Sequence, residues 1–263
     1  MQKVKFIYAI TLALISCTGY AMPTWAEPAT IAKHTPGKQE VQSFAPPPLP
    51  DEGAPTGRSR GAAGRGNKCV VEPPLTALVP ASEQSLGKEQ QKVTYVWGET
   101  VAEHPTFWFY VPYSRATLHS IEFVLQDAED NDVYRTSVNM ADIPSVVGVR
   151  LPSTTAPLKI GKLYHWFFKT KASCNEQSSD IEDYVEGWVQ RVQLSSVLAK
   201  QLEAATPTQQ INIYTANGIW YEALTTVAKL RLAAPKDANL NASWAKLLQS
   251  AGLGDIASKP IEP

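Results

Sequence analysis

The carboxylates of this 263-residue chain gather at two places: Asp127, Glu129, Asp130 and Asp132 in one, Asp180, Glu182, Asp183 and Glu186 in the other. One carboxylate from each group, held face to face at a set distance, would supply the acid and base of a hydrolase. The first group also has the density of a calcium loop. It lacks the Asp-x-Asp-x-Asp-Gly alternation and distal glutamate that such a loop uses, so a hairpin tip is expected there. The four histidines, His34, His104, His119 and His165, show no paired spacing. A zinc or copper site needs at least three convergent ligands, so no metal site is expected. No glycine loop of the nucleotide-binding kind occurs, and no cofactor is expected.

The three cysteines are read together with the N-terminus. Lys3 and Lys5 precede an apolar run from Phe6 to Ile15, and small residues lead to Thr24-Trp25-Ala26. This predicts a secretory signal peptide over residues 1–26, its apolar run too short to span a bilayer. Cleavage after Ala26 removes Cys17 and leaves Cys69 and Cys174. An even pair in an oxidising compartment predicts a disulfide, worth about 4–5 kcal/mol in the chain-entropy picture. Leu14-Ile15-Ser16-Cys17 also has the shape of a lipobox. On that alternative Cys17 is acylated and tethers the protein to a membrane, the one route to a membrane expected here.

Residues 27–68 shift to Pro, Gly, Ala and Ser, with Pro46-Pro47-Pro48-Leu49-Pro50 and Gly57-Arg58-Ser59-Arg60-Gly61. With little apolar surface to offset ordering entropy, this stretch is expected to be a disordered linker, with Arg58, Arg60, Arg65 and Lys68 in solvent. The formal net charge of −1 and the absence of aromatic residues among those cations argue against nucleic acid as a partner.

The elements that must position any site follow. Residues 69–194 read as a β-domain of about seven strands. Thr106 to Val111 is an apolar run closed by proline on both sides, Ile121 to Val138 reads as a hairpin, and Val146 to Leu151, Leu163 to Thr170 and Tyr184 to Val192 supply further strands. The spacing predicts an antiparallel sandwich of immunoglobulin or fibronectin type. Tyr164, three residues after Gly161, is the candidate for a tyrosine corner, whose hydroxyl bonds to backbone upstream. Over residues 195–256 the period lengthens to about three and a half. Helices are expected at Ser195 to Ala204, Pro207 to Asn217, Ile219 to Ala233 and Ala238 to Ala251, followed by a tail over 257–263. Tyr214, Ala223 and Pro235 fall at the spacing of one tetratricopeptide-like unit, which must dock on something because it cannot bury its own face.

Five stretches taken together resemble one family. They are Leu75-Thr76-Ala77-Leu78-Val79-Pro80, the run from Pro105 to Tyr113, Glu122-Phe123-Val124-Leu125-Gln126-Asp127, the run from Val185 to Val192, and Asn217-Gly218-Ile219-Trp220-Tyr221-Glu222-Ala223-Leu224. They resemble the cyanobacterial family known as domain of unknown function 928 (DUF928) over about residues 68–256. The resemblance implies an exported protein with no established activity, so it carries no catalytic residue over.

The expected function is therefore that of a non-catalytic exported interaction or structural module of the cell envelope or extracellular space. Its partner is expected to be a protein, taken either in a helical groove anchored by Trp220, Tyr221 and Trp244 or by strand addition at a sheet edge. Two alternatives stay open. One is a carbohydrate-binding module that stacks sugars on exposed tryptophans, and the other is a hydrolase with a scattered carboxylate site.

Overall fold

The computed structural model describes residues 43–49, 55–61, 71–86, 91–139, 141–173 and 180–262. Among these residues nine strands come first: β1 (Thr76–Ala77), β2 (Ala81–Leu86), β3 (Gln91–Thr100), β4 (Thr106–Val111), β5 (Leu118–Gln126), β6 (Asp132–Ser137), β7 (Ser145–Arg150), β8 (Leu163–Ala172) and β9 (Ile181–Arg191). Four helices follow, α1 (Ser196–Ala204), α2 (Pro207–Ala216), α3 (Trp220–Ala233) and α4 (Ala238–Ser250). The strands form two sheets, one ordered β1-β4-β7 and the other β2-β3-β9-β8-β5-β6.

Strand β4 shows why the sheets pack as they do. Its residues are almost all buried, because both of its faces are covered. Phe107 and Phe109 point to the six-stranded sheet: Phe109 stacks on Phe168 with centroids 4.0 Å apart, and Phe107 meets Phe123 at 4.9 Å. Trp108, on the alternate face, donates its indole N–H to Thr225 Oγ1 of α3 at 3.0 Å. Helix α3 meets both sheets, since Trp108 of β4 bonds Thr225 while Tyr221 bonds Trp188 O of β9 and Glu222 bonds Thr100 of β3, and one continuous hydrophobic core runs through sheets and helices.

The sequence anticipates an antiparallel arrangement, and most pairs are antiparallel. The exception is β3, which runs parallel to β9 from Trp97↔Trp188 to Thr100↔Arg191. Strand periodicity encodes which face is buried but not the direction of a distant partner, so this pairing is a correction that pattern reading could not supply. The hairpin forms as expected, with β5 and β6 paired from Glu122↔Ser137 to Leu125↔Tyr134 and, after a shift of register, at Gln126↔Asp132. The expected tyrosine corner is present as well: Lys159 donates its backbone N–H to the Tyr164 hydroxyl at 3.0 Å, and Gly161 takes the turn with φ of 77°.

The expectation of a disordered linker fails for the described part of it. Phe44 is buried, edge-on to Trp220 at 4.8 Å. Residues 55–61 form an extended strap that enters the wedge where β3 and β9 diverge. Val96 donates to Pro55 O, Gly57 to Thr94 O, Arg58 exchanges both backbone bonds with Glu186, and Gly61 donates to Leu75 O. At Gly57 a Cβ would stand 2.6 Å from the Glu186 carbonyl, so only glycine lets the chain lie this close. Arg58 and Arg60 are not free in solvent as expected, and Arg65 and Lys68 lie outside the described residues. Arg58 pairs with the buried Asp183 at 2.8 Å and stacks on Tyr184, and Arg60 grips Asp255 through two bonds of 2.7 and 2.8 Å. Composition misjudged the segment because backbone pairing and two ion pairs hold residues 55–61, while Phe44 alone carries the earlier part into the core.

The tail is likewise docked. Ile261 bridges Val146 in parallel, with Val146 donating to Pro260 O and Glu262 donating to Val146 O. Among the described residues no helix is long and apolar enough to cross a membrane.

Candidate functional site

Each sheet has an edge strand with one side left open by the other strands among the described residues: β6 closes the larger sheet at the end opposite β2, and β7 closes the smaller at the end opposite β1. A cleft of about 390 Å³ lies between them, lined among others by Ser137, Val138, Val147, Gly148, Arg150 and Glu262. Antiparallel strands turn the backbone groups of alternate residues toward the same neighbour. Val138 donates to Ile121 O, on the β5 side, so Ser137 turns its N–H and C=O toward the open side. On β7, Val146 faces outward to Pro260 and Glu262, so Gly148 and Arg150 present their backbone groups to the same cleft. Among the described residues, Pro260–Glu262 is the one segment bonded to the outer side of β7, and its backbone bonds there are to Val146. Side chains sort by the same alternation: Val147 and Val149 are buried, whereas Gly148 and Arg150 are exposed.

The aromatic anchors expected on the helices lie elsewhere. Trp220, Tyr221 and Trp244 are at most 1 % exposed. Trp220 donates its N–H to Leu78 O at 2.8 Å, the Tyr221 hydroxyl donates to Trp188 O at 3.4 Å, and Trp244 lies beneath the Arg231 guanidinium. Burial pushes the Tyr221 phenol far above its usual range. These rings dock the helices on the sheets and offer no face to a partner, which corrects the groove expectation. Cys17, Cys69 and Cys174 lie outside the described residues.

The carboxylate groups are engaged separately. Asp127 accepts from the backbone N–H groups of Asn131 and Glu129 across the hairpin tip, which holds its carboxyl below the usual range. Gln126 and Arg135 do the same for Asp132. In the second group Asp183 holds the strap, Asp180 contacts Lys171 and His119, and Glu186 lies 3.2 Å from His165. Among the described residues no cluster of three or more His, Cys, Asp or Glu could hold a metal.

Three features correct the sequence reading, which finds no Gly-x-Ser-x-Gly elbow and no Ser-x-x-Lys pair and gives Glu222 no role. Gly57-Arg58-Ser59-Arg60-Gly61 spells the Gly-x-Ser-x-Gly of a hydrolase elbow, yet it lies in the extended strap rather than at a strand-to-helix turn, and the carbonyl of Ser59 is bonded to Ala77. Ser243-Trp244-Ala245-Lys246 spells Ser-x-x-Lys inside α4, where the Ser243 hydroxyl donates to Asn239 O. Glu222, third residue of α3, is the third. Its Oε1 accepts from Thr100 Oγ1 at 2.6 Å and from the Ala102 N–H at 3.1 Å, while burial pushes its carboxyl above the usual range. Its position at the start of a helix that begins Trp-Tyr was the available signal.

On the outer face of the larger sheet the His165 and Trp188 rings stack at 4.2 Å with 6° between planes, and Phe167 leans on His165 at 4.1 Å. The rings spend their faces on one another instead of forming a coplanar platform.

A family model described as Domain of Unknown Function (DUF928) matches residues 57–261, well over half of the chain. The chain belongs to the DUF928 family. Comparison with curated proteins gives no match. The DUF928 span begins at Gly57 inside the strap and ends at Ile261, the residue bridged to β7. The family unit therefore takes in the two sheets, the helices, nearly all of the strap and most of the docked tail.

Proposed function

We propose that this DUF928 protein is a non-catalytic, exported interaction module that captures an extended peptide by strand addition in the cleft between β6 and β7. One observation carries the reading: both flanking strands turn toward a single cleft, its inner side lined by valines, backbone groups that no strand among the described residues pairs, the Ser137 carbonyl being met by the Thr136 hydroxyl alone. An added strand would find donors and acceptors on both sides, the source of affinity in strand addition. It would also close two sheet edges that otherwise remain templates for aggregation. The docked tail supports the reading, since Pro260–Glu262 already uses strand-type pairing on β7.

The finer architecture in this reading is an immunoglobulin-like sandwich, supported by the Tyr164 corner, with a tetratricopeptide-like pair in α2 and α3, supported by the buried Ala223. Export rests on the residue pattern of 1–26, and with it come the Cys69–Cys174 disulfide and the Cys17 lipid-anchor alternative. The self-stacked Trp188 and His165 rings weigh against sugar stacking, and the separate engagement of the carboxylates weighs against a hydrolase.

The test is a displayed library of short extended peptides, probed with the protein and with Ser137→Pro. That substitution removes an outward N–H without touching the β5 ladder, a place where a strand tolerates proline. Selected peptides should bind the parent and lose at least about tenfold in affinity with the correctly folded variant, the cost of one or two backbone bonds. Undiminished binding would contradict the assignment.

A further inference from the structure

Resting on that strand-capture reading, we infer that the cleft selects a bipolar segment: valine-sized residues alternate toward its inner side, an acidic residue stands at the Arg150 end and a basic residue at the Glu262 end. The inner specificity follows from the alternation. A strand added beside Gly148 and Arg150 turns every second side chain to the face of Val147 and Val149, where Val138 closes the space from the opposite sheet.

The charge order follows from which ions in the molecule are already committed. Arg58, Arg60, Arg115, Arg135 and Arg191 each pair with a carboxylate, and Arg231 donates to Asn241. Arg150 alone among the described arginines has no partner, and it stands exposed on the cleft rim. Glu262, half-buried, also has no cationic partner among the described residues. Two uncommitted charges of opposite sign therefore mark the two ends of one edge, because Glu262 follows the residue paired with Val146 while Arg150 ends the strand. Such rim charges fix register and reject wrong partners more than they add affinity. A segment of uniform sign meets one like charge wherever it is placed. A bipolar one meets none, and running it in either direction changes only which terminus carries which sign.

The experiment uses four labelled peptides with one Thr-Val repeat, flanked by Lys at one end and Asp at the other, by Lys at both, by Asp at both, or by neutral Ser. Binding to the full chain is followed by anisotropy at low and high salt. The parent should prefer the bipolar peptide over either uniform one by at least about threefold, with the preference fading at high salt. Arg150→Glu should move the preference to the all-Lys peptide and Glu262→Lys to the all-Asp peptide. Equal binding of all four would overturn the charge rule and leave strand capture standing. No binding of any, the neutral repeat included, would overturn strand capture and this inference with it.

Discussion

At the scale of single residues, two polar contacts carry measurable weight. The Tyr164 hydroxyl is the acceptor for the Lys159 N–H at a tight turn. Tyr164→Phe should cost about 1 kcal/mol, seen as a lower urea midpoint with an unchanged slope. An unchanged midpoint would make the corner decorative. Glu222 is the opposite case, a carboxyl whose burial outweighs its bonds to Thr100 and Ala102 and raises its pKa in the fold. Its stability contribution is fully present below the ordinary carboxyl range and is lost as pH rises through the raised folded value. Glu222→Gln keeps the Oε1 acceptor and removes that titration. Urea unfolding at a series of pH values should therefore show the variant gaining on the parent as pH rises toward neutrality, and a constant difference would refute the assignment. Tyr164 was legible in sequence because a turn glycine and a tyrosine sit at fixed spacing. The burial of Glu222 was not, because it depends on α3 meeting the end of β3, a contact between distant parts of the chain.

At the scale of elements, the runs that announce themselves are those whose period matches one buried face. The apolar run of β4 and the alternation of β8 and β9 gave their elements within a few residues, as did the Thr206 capping box and the Asp237 cap, which bound α2 and α4. The strap had no such signal. Its side chains carry no period, and its order comes from backbone bonds to strands that must first exist. Composition could show that it lacks a core of its own but not that it completes another. Arg58→Ala removes the ion pair to buried Asp183 and the bonds to Tyr184 O, and it should cost about 2–3 kcal/mol. Brief trypsin treatment should leave the Arg60–Gly61 bond intact in the parent and cut it readily in the variant. Equal cutting in both would return the segment to the status of a linker. The edges of β6 and β7 belong to this scale too, since an open edge is defined by what fails to pair with it and no single strand's sequence records that.

At the scale of the whole molecule, the sheets and helices share one core. Trp220 bonds Leu78, Tyr221 packs on Phe107, and Trp108 bonds Thr225, so α3 is a structural layer of the sheets rather than an appended module. Urea unfolding followed by tryptophan fluorescence and by far-ultraviolet circular dichroism should give coincident single transitions. Two separated transitions would divide the sheets from the helices. The aromatic residues that looked like partner anchors in sequence are the seam of this internal docking. Large rings at helix positions mark an interface, and sequence alone leaves open whether that interface is internal. The surface proposed for a partner is the cleft between β6 and β7, and amide hydrogen exchange read residue by residue, with and without a saturating Thr-Val peptide, tests it most directly. The account predicts that the peptide slows exchange at Ser137, Gly148 and Arg150 while the β4 amides stay as they were. Protection confined to the helices or to the outer face of the larger sheet, with these three amides unchanged, would contradict strand capture.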